Sequence, residues 1–216
     1  MDIKYIGHSS FLIKSKDAKV VIDPFDKSIG IHFPKTEADV VTISHHHIDH
    51  DSLSNIPGEP LVIDWPGEFE CKGVRITGYA SYHDAKKGEE RGENVIYKFE
   101  VEGITVLHMG DIGHIVDDKL VEEIGPIDVL MIPVGGRYTI DATQASDVIK
   151  KLEPTIVIPM HYNHKDLDQK QFADVNELDV FLKKMGVVGT EPVARLTLRP
   201  EDLTDEMKVV VMSYGA

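Results

Sequence analysis

The sequence predicts an α/β (α+β) chain in which two β-sheets pack face to face and helices cover the outside. Three observations predict it. The first half is a succession of short apolar or β-branched segments bounded by Gly, Pro or Asp, the pattern of strands and turns. The second half alternates helical periodicity with apolar strands. Sheet-rich segments in both halves, together with helices that each need an apolar surface, are satisfied by stacked sheets with the helices outside. The 216 residues fit one domain, 1–216, long enough to bury a sizeable core.

Taken in order, strands are expected at Ile3 to Ile6, Phe11 to Lys14, Val20 to Ile22, Val40 to Ile43, Leu61 to Ile63, Val74 to Thr77, Val95 to Phe99 and Ile104 to Leu107. Glu102-Gly103 joins the last two as a tight turn. Helices follow at Asp117 to Ile124, Ala142 to Leu152 and Asn176 to Met185, with strands at Val129 to Ile132 and Ile156 to Ile158 between them. Strands Ala194 to Leu198 and Val209 to Met212 close the chain. Trp65-Pro66-Gly67-Glu68-Phe69 reads as a Pro-Gly turn stapled by its aromatics. Gly135-Gly136 reads as a turn that would also admit a close approach of backbone to ligand. Ala85 to Asn94, charged and glycine-containing, reads as a mobile, solvated connection.

Composition narrows the function. A net charge of −14 argues against long nucleic acid, whose non-specific affinity comes from clustered Lys and Arg. No apolar run reaches membrane-spanning length, and the N-terminus lacks a basic stretch followed by an apolar core, so no membrane association and a cytoplasmic location are expected. Cys71 is the single cysteine, which agrees with a reducing compartment and leaves nitrogen and oxygen donors for any metal site. Self-association is compatible with the sequence.

The chemistry concentrates behind one strand. Val40 to Ile43 ends at Ser44, and His45-His46-His47-Ile48-Asp49-His50 follows at once, where strand ends present functional groups. His45 and His47 sit two apart, so in an extended segment both rings project to one side and share a metal at about 2.0 to 2.1 Å. His46 then points away. A helix starting near Ile48 would turn Asp49 and His50 toward a second metal. The plainer reading is a polar His-rich surface tract; four specified residues at fixed spacing behind a strand favour the metal.

The pattern His-x-His-x-Asp-His resembles the signature of the metallo-β-lactamase superfamily, in particular its small single-domain hydrolases. His83 behind a strand, His108-Met109-Gly110-Asp111 and Pro159-Met160-His161-Tyr162 are similar to its later motifs, in order. Gly7-His8-Ser9-Ser10, Ile22-Asp23-Pro24-Phe25 and the run from Pro133 to Thr139 resemble a branch of ascorbate-phosphate lactonase-like and other Zn-dependent hydrolases. The resemblance implies a four-layer αββα sandwich with two divalent metal ions at one edge between the sheets. It places His45, His47 and His83 on one ion, Asp49, His50 and His161 on the other, and Asp111 between them. Zinc suits these donors, as do manganese and iron.

Two dications lower the pKa of a shared water, supplying hydroxide near neutral pH, and stabilise negative charge on the electrophile. Asp49 and Asp111 are the expected catalytic carboxylates, Asp49 also orienting the water. The expected reaction is hydrolysis of a small ester-type substrate, a phosphodiester or a lactone, and an anionic substrate would meet Arg137, Tyr138 or Lys165. Asp23 has two readings: a group that holds a ligand imidazole in one tautomer, or a turn-forming Asp before Pro24. Of His8, His32, His46, His108, His114 and His164, the three beside motifs, His8, His114 and His164, are candidate substrate contacts or proton donors. Antibiotic hydrolysis is disfavoured by the absence of a secretion signal, RNA cleavage by the acidic charge and the lack of room for an added domain. Di-iron redox chemistry is disfavoured by His47, where a glutamate is expected. The rival class is a ligand-sensing or partner-binding protein that keeps the metal without turnover.

Overall fold

The structure, a computed structural model, describes residues 1–215. Its first sheet contains β1 (Asp2–Gly7), β2 (Ser10–Lys14), β3 (Lys19–Ile22), β4 (Val40–Thr42) and β5 (Leu61–Ile63) side by side in chain order. The first three run antiparallel and the last three parallel. The second sheet begins with an antiparallel meander of β6 (Gly67–Cys71), β7 (Val74–Tyr82), β8 (Glu93–Val101) and β9 (Ile104–His108). It continues in parallel with β10 (Val129–Pro133) and β11 (Ile156–Met160), reached by crossovers that carry helices α1 (Asp118–Ile124) and α2 (Ala142–Leu152). After α3 (Gln169–Phe172) and α4 (Leu178–Lys184) the tail gives one short strand to each sheet: β12 (Leu196–Thr197) beside β1, and β13 (Lys208–Val209) beside β11.

Period-two alternation decides which face each strand buries. Val20, Ile22 and Val40 enter the core between the sheets, which they share with Tyr97, Phe99 and Val106. Their neighbours Val21 and Val41 face outward into a second cluster with Phe25, Phe33, Leu167 and Phe172. The outer layer over the first sheet is therefore mostly loop, with one 3-10 turn at Lys27–Ile29 and the single turn of α3. Over the second sheet the layer is helical: Ala145, Val148 and Ile149 of α2 and Phe181 of α4 join the main core. This is the expected αββα sandwich, thin on one side. The buried Tyr97 hydroxyl ties the two sheets together, its one proton shared between the carbonyls of Ile43 (3.2 Å) and Ile63 (3.1 Å).

Local chemistry explains the ends of the elements. Asp141 caps α2 by accepting from Thr143 and Gln144 N–H, and the Gln144 side chain returns a bond to Asp141 N–H, a capping box. Glu102 and Gly103 both have positive φ, as the expected tight turn requires. Three expectations need correction. From Gly67 the stapled turn becomes edge strand β6, with Phe69 and Cys71 half-buried and Glu68 and Glu70 exposed; the Trp65–Phe69 contact, centroids 5.7 Å apart, is present. The closing strands shrink to two residues each. Residues 85–92 form an ordered series of turns, because the Asp84 carboxylate gathers their amides.

Among the described residues, no helix is long and apolar enough to cross a membrane.

Candidate metal centre

All seven expected ligands sit just beyond strand ends on one edge of the sandwich. His45 to His50 follow β4, His83 follows β7, Asp111 follows β9 and His161 follows β11. Within each sheet these strands run in the same direction, so their carboxyl ends open onto one crevice. The ligand loop makes a single turn rather than the expected helix: the N–H groups of His50 (2.9 Å) and Asp51 (3.2 Å) both reach back to His47 O. The turn stops there because Ser52 N–H crosses to Pro24 O (2.8 Å) instead.

The donors fall into overlapping groups in which the ligating atoms lie within 4.8 Å of one another: His45, His47 and His83; His45, His50 and Asp111; and His8, Asp49, His50 and His161. Asp111 Oδ2 is the shared centre, 3.0 Å from His161 Nε2, 3.3 Å from His50 Nε2 and 3.4 Å from His83 Nε2. His46 is exposed and turns away toward Asp51 and Asp64, as expected.

One buried carboxylate fixes the state of two imidazoles. Asp23 accepts from Ser44 N–H (2.7 Å) and from Ser44 Oγ–H (2.6 Å). Since that hydroxyl spends its proton on Asp23, His45 Nδ1 at 2.9 Å must donate to Ser44 Oγ. His50 Nδ1 donates to the same Asp23 Oδ2 at 2.9 Å. Each ring thus commits Nδ1 to the Asp23–Ser44 pair and turns Nε2 toward the centre, that of His50 lying 3.3 Å from Asp111 Oδ2. Of the two readings of Asp23, the geometry selects the tautomer-holding one.

Asp111 is seated as firmly. Its N–H donates to Asn94 Oδ1 (2.9 Å), and Ser9 Oγ–H donates to its Oδ1 (3.4 Å). His108 Nδ1 accepts from Gly110 N–H (3.1 Å), so its Nε2–H donates to Ser9 O (2.8 Å). Gly110 has φ +55°, and a Cβ there would lie 2.3 Å from Asn94 Oδ1 and 2.7 Å from Ser44 Cβ. Only glycine lets the ligand turn and the strand beneath it approach so closely.

Burial and the neighbouring imidazoles act in opposite directions on the carboxylates of the centre. Burial opposes ionisation of Asp111, yet the His161 and His50 imidazoles hold its carboxyl well below the usual carboxylate range. Burial likewise opposes ionisation of Asp49, and His50 and His8 overcome it. Burial lowers His45 far below its ordinary value and lowers His83 too, so both are neutral, as ligation requires. Buried ring nitrogens without partners occur on His8, His45, His50, His83 and His161. On His45 and His50 the unpartnered atom is Nε2, and on His8, His83 and His161 it is Nδ1, while the Nε2 of those three faces Asp49 or Asp111; the donor set fits a metal site of nitrogen and oxygen ligands.

Residues 2–161 match the family model of the β-lactamase superfamily domain. The chain belongs to the metallo-β-lactamase superfamily. A UPF0173 metal-dependent hydrolase of Thermoplasma volcanium is 31% identical to it, over 77% of this chain and 86% of the relative. The crystal structure of a candidate Zn-dependent hydrolase of the superfamily from Thermotoga maritima superposes with a TM-score of 0.80 at 40% identity, covering 98% of this chain and 97% of that one. Igni18, a metallo hydrolase of Ignicoccus hospitalis, shares the fold with a TM-score of 0.65 at 20% identity, over 92% of this chain and 99% of its own.

In this superfamily member a cleft of about 460 Å³ opens over Asp49, Asp111 and His161. Of the residues expected to meet an anion, Tyr138 lines it; Arg137 and Lys165 do not. Its cations are Arg91 and Lys170, which the sequence reading passed over. Of the three histidines singled out beside motifs, only His8 is at the centre, its Nε2 3.1 Å from Asp49 Oδ2. His114 bonds its neighbour Ile115 O, and His164 stacks on Tyr214 at 4.3 Å. Gly135 has a structural reason: a Cβ there would meet His161 O at 2.2 Å.

Proposed function

We propose that this chain is a binuclear metal-dependent hydrolase that opens a small ester-type substrate, a phosphodiester or a lactone, carrying negative charge. The coarser part, metal-dependent hydrolase, is supported by family membership and by relatives of that name. The binuclear part is carried by one observation: Asp111 Oδ2 stands within 3.4 Å of His50, His83 and His161, between the two donor groups. His45, His47 and His83 would hold one ion, Asp49, His50 and His161 the other, and Asp111 both. Two dications bound there would supply a water of lowered pKa and Lewis acidity toward the substrate oxygen.

The chain's own groups do the rest. Asp23 keeps His45 and His50 in the ligating tautomer. Asp49, bonded to His8 through Oδ2, keeps its other oxygen to orient the attacking water. The half-exposed side of the centre at His47 and Asp49 admits substrate. A cleft of this size suits a small molecule rather than a polymer.

The test is metal analysis, then turnover of an aryl phosphodiester, a lactone, a thioester and a β-lactam by metal-replete protein beside His47→Ala. Two metals per chain and metal-dependent cleavage of the phosphodiester or the lactone is the expected result. Two bound metals with no turnover of any panel member would move the assignment to the ligand-sensing class. One metal or none would overturn the binuclear reading.

A further inference from the structure

The loop between β7 and β8 is built around one carboxylate. Asp84, 4% exposed, accepts four backbone N–H groups: Lys86 (2.7 Å) and Gly88 (3.0 Å) on Oδ1, Glu90 (3.0 Å) and Arg91 (2.8 Å) on Oδ2. That number fills the acceptor sites of a carboxylate. The ring closes through His83 N–H to Gly92 O (3.0 Å) and Gly92 N–H to Gly88 O (3.0 Å). Behind it, Gly113 N–H bonds Tyr82 O (3.0 Å), and a Cβ on Gly113 would lie 2.5 Å from the Asp84 backbone. An exposed sequence of Lys, Gly and Glu thus has a fixed course.

That course ends at Arg91. Its backbone is one of the four donors, its side chain is half-buried, and its guanidinium stands 5.8 Å from the centre of the Tyr138 ring. Tyr138 is itself fixed by donating from its hydroxyl to Gln171 O (3.0 Å). Arg91 and Lys170 line the cleft over Asp49, Asp111 and His161, in a chain whose net charge is −14. Two cations at the mouth of a metal centre in so acidic a protein are placed to receive an oxyanion.

We propose that Arg91 and Lys170 form a clamp for an oxyanion group of the substrate, carboxylate or phosphate, and that Asp84 is the positioning residue that holds Arg91 in it. The inference rests on the hydrolase reading above and adds the substrate's charged group. Asp84 acts through the loop backbone and touches no reactant. Asn in its place offers one acceptor oxygen, while its amide N–H₂ confronts two backbone donors, so one half of the ring is released.

The probe is inorganic phosphate, titrated calorimetrically into metal-loaded protein with the bound metal counted in every variant. Arg91→Gln, which leaves the backbone donor in place, is expected to weaken phosphate roughly tenfold, the value of one charge-assisted hydrogen bond. Lys170→Gln loses a similar factor independently. Asp84→Asn matches Arg91→Gln, and the double variant Asp84→Asn/Arg91→Gln loses no more than either alone, because both remove the same contact. Trypsin should cut Asp84→Asn after Lys86, Lys87 or Arg91 while the wild type resists. Unchanged phosphate affinity in metal-replete Arg91→Gln would overturn the clamp. Additive losses, a resistant loop in Asp84→Asn, or metal lost from Asp84→Asn alone would each overturn its positioning role. Protein that binds no metal would instead count against the hydrolase reading, and the trypsin comparison still decides what Asp84 does.

Discussion

Two buried aspartates flank the metal centre, and their partners are of opposite kinds. Asp23 takes one backbone amide, Ser44 N–H, and otherwise ends in side chains: Ser44 Oγ and His50 directly, His45 through the Ser44 hydroxyl. Asp84 ends in backbone amides alone. The first arrangement sets proton positions on metal donors, and the second sets the course of a chain segment. Burial alone would raise the Asp84 carboxyl, but its four amide donors hold it down at about 2, so it stays ionised. A buried carboxylate is therefore not by itself a mark of catalysis; what it faces decides its role.

The largest effects should come from the candidate metal donors themselves. His47→Ala and Asp111→Asn are each expected to lower metal content and to abolish hydrolysis of whichever panel ester the wild type cleaves. Metal analysis and activity on the same preparations check this, and full activity in both variants would remove the mechanism. Stripping the wild type with a chelator should also lower its thermal stability. A site saturated a thousandfold above its Kd contributes about 4 kcal/mol to the folded state, and calorimetry with and without metal reads the difference.

Asp23→Asn sharpens the contrast. The new amide would donate where the carboxylate accepted, so His50 would be driven to present Nδ1 as acceptor and to carry its proton on Nε2, the nitrogen the metal needs. Loss of such a partner typically costs 10–100-fold in metal affinity. Competition with a chromophoric chelator measures it. An unchanged affinity would mean that Asp23 only shapes the turn before Pro24.

How much of this could be read from the sequence follows from the same contrast. The run His45 to His50 is legible because ligation needs particular atoms, and only a few side chains carry them. Asp111 and His161 follow for the same reason, each behind an apolar strand. Asp84 stands beside His83 in plain view, yet its partners are amides that any residue supplies, so residues 85–92 read as mobile when they are tied. Arg91 and Lys170 were hidden because the fold, and no local pattern, brings them to one cleft. In β6 the alternation of Glu68 and Glu70 with Phe69 and Cys71 was present, but Pro66-Gly67 masked it as a turn. The core strands were legible because each buries alternate residues against the facing sheet.

Gly110→Ala tests whether the seat of Asp111 is as unforgiving as its contacts. Its positive φ strains any other residue by about 1–3 kcal/mol, and the added methyl must also displace Asn94 Oδ1 or Ser44. A drop in melting temperature together with reduced metal content is expected, since the same shift would move Asp111. Wild-type stability and metal content would mean that the turn relaxes and that the close packing there is incidental.

The smallest effect should come from an aspartate of the second kind at the far end of the scale. Asp141 also holds backbone amides, two of them, but at the exposed start of α2 rather than beside the metal. Asp141→Ala removes one helix cap, worth about 1 kcal/mol. The melting temperature should fall by a few degrees, with metal content, phosphate affinity and turnover unchanged. If this variant weakened phosphate as Asp84→Asn is expected to, the effect of Asp84 would be general stability rather than the placement of Arg91.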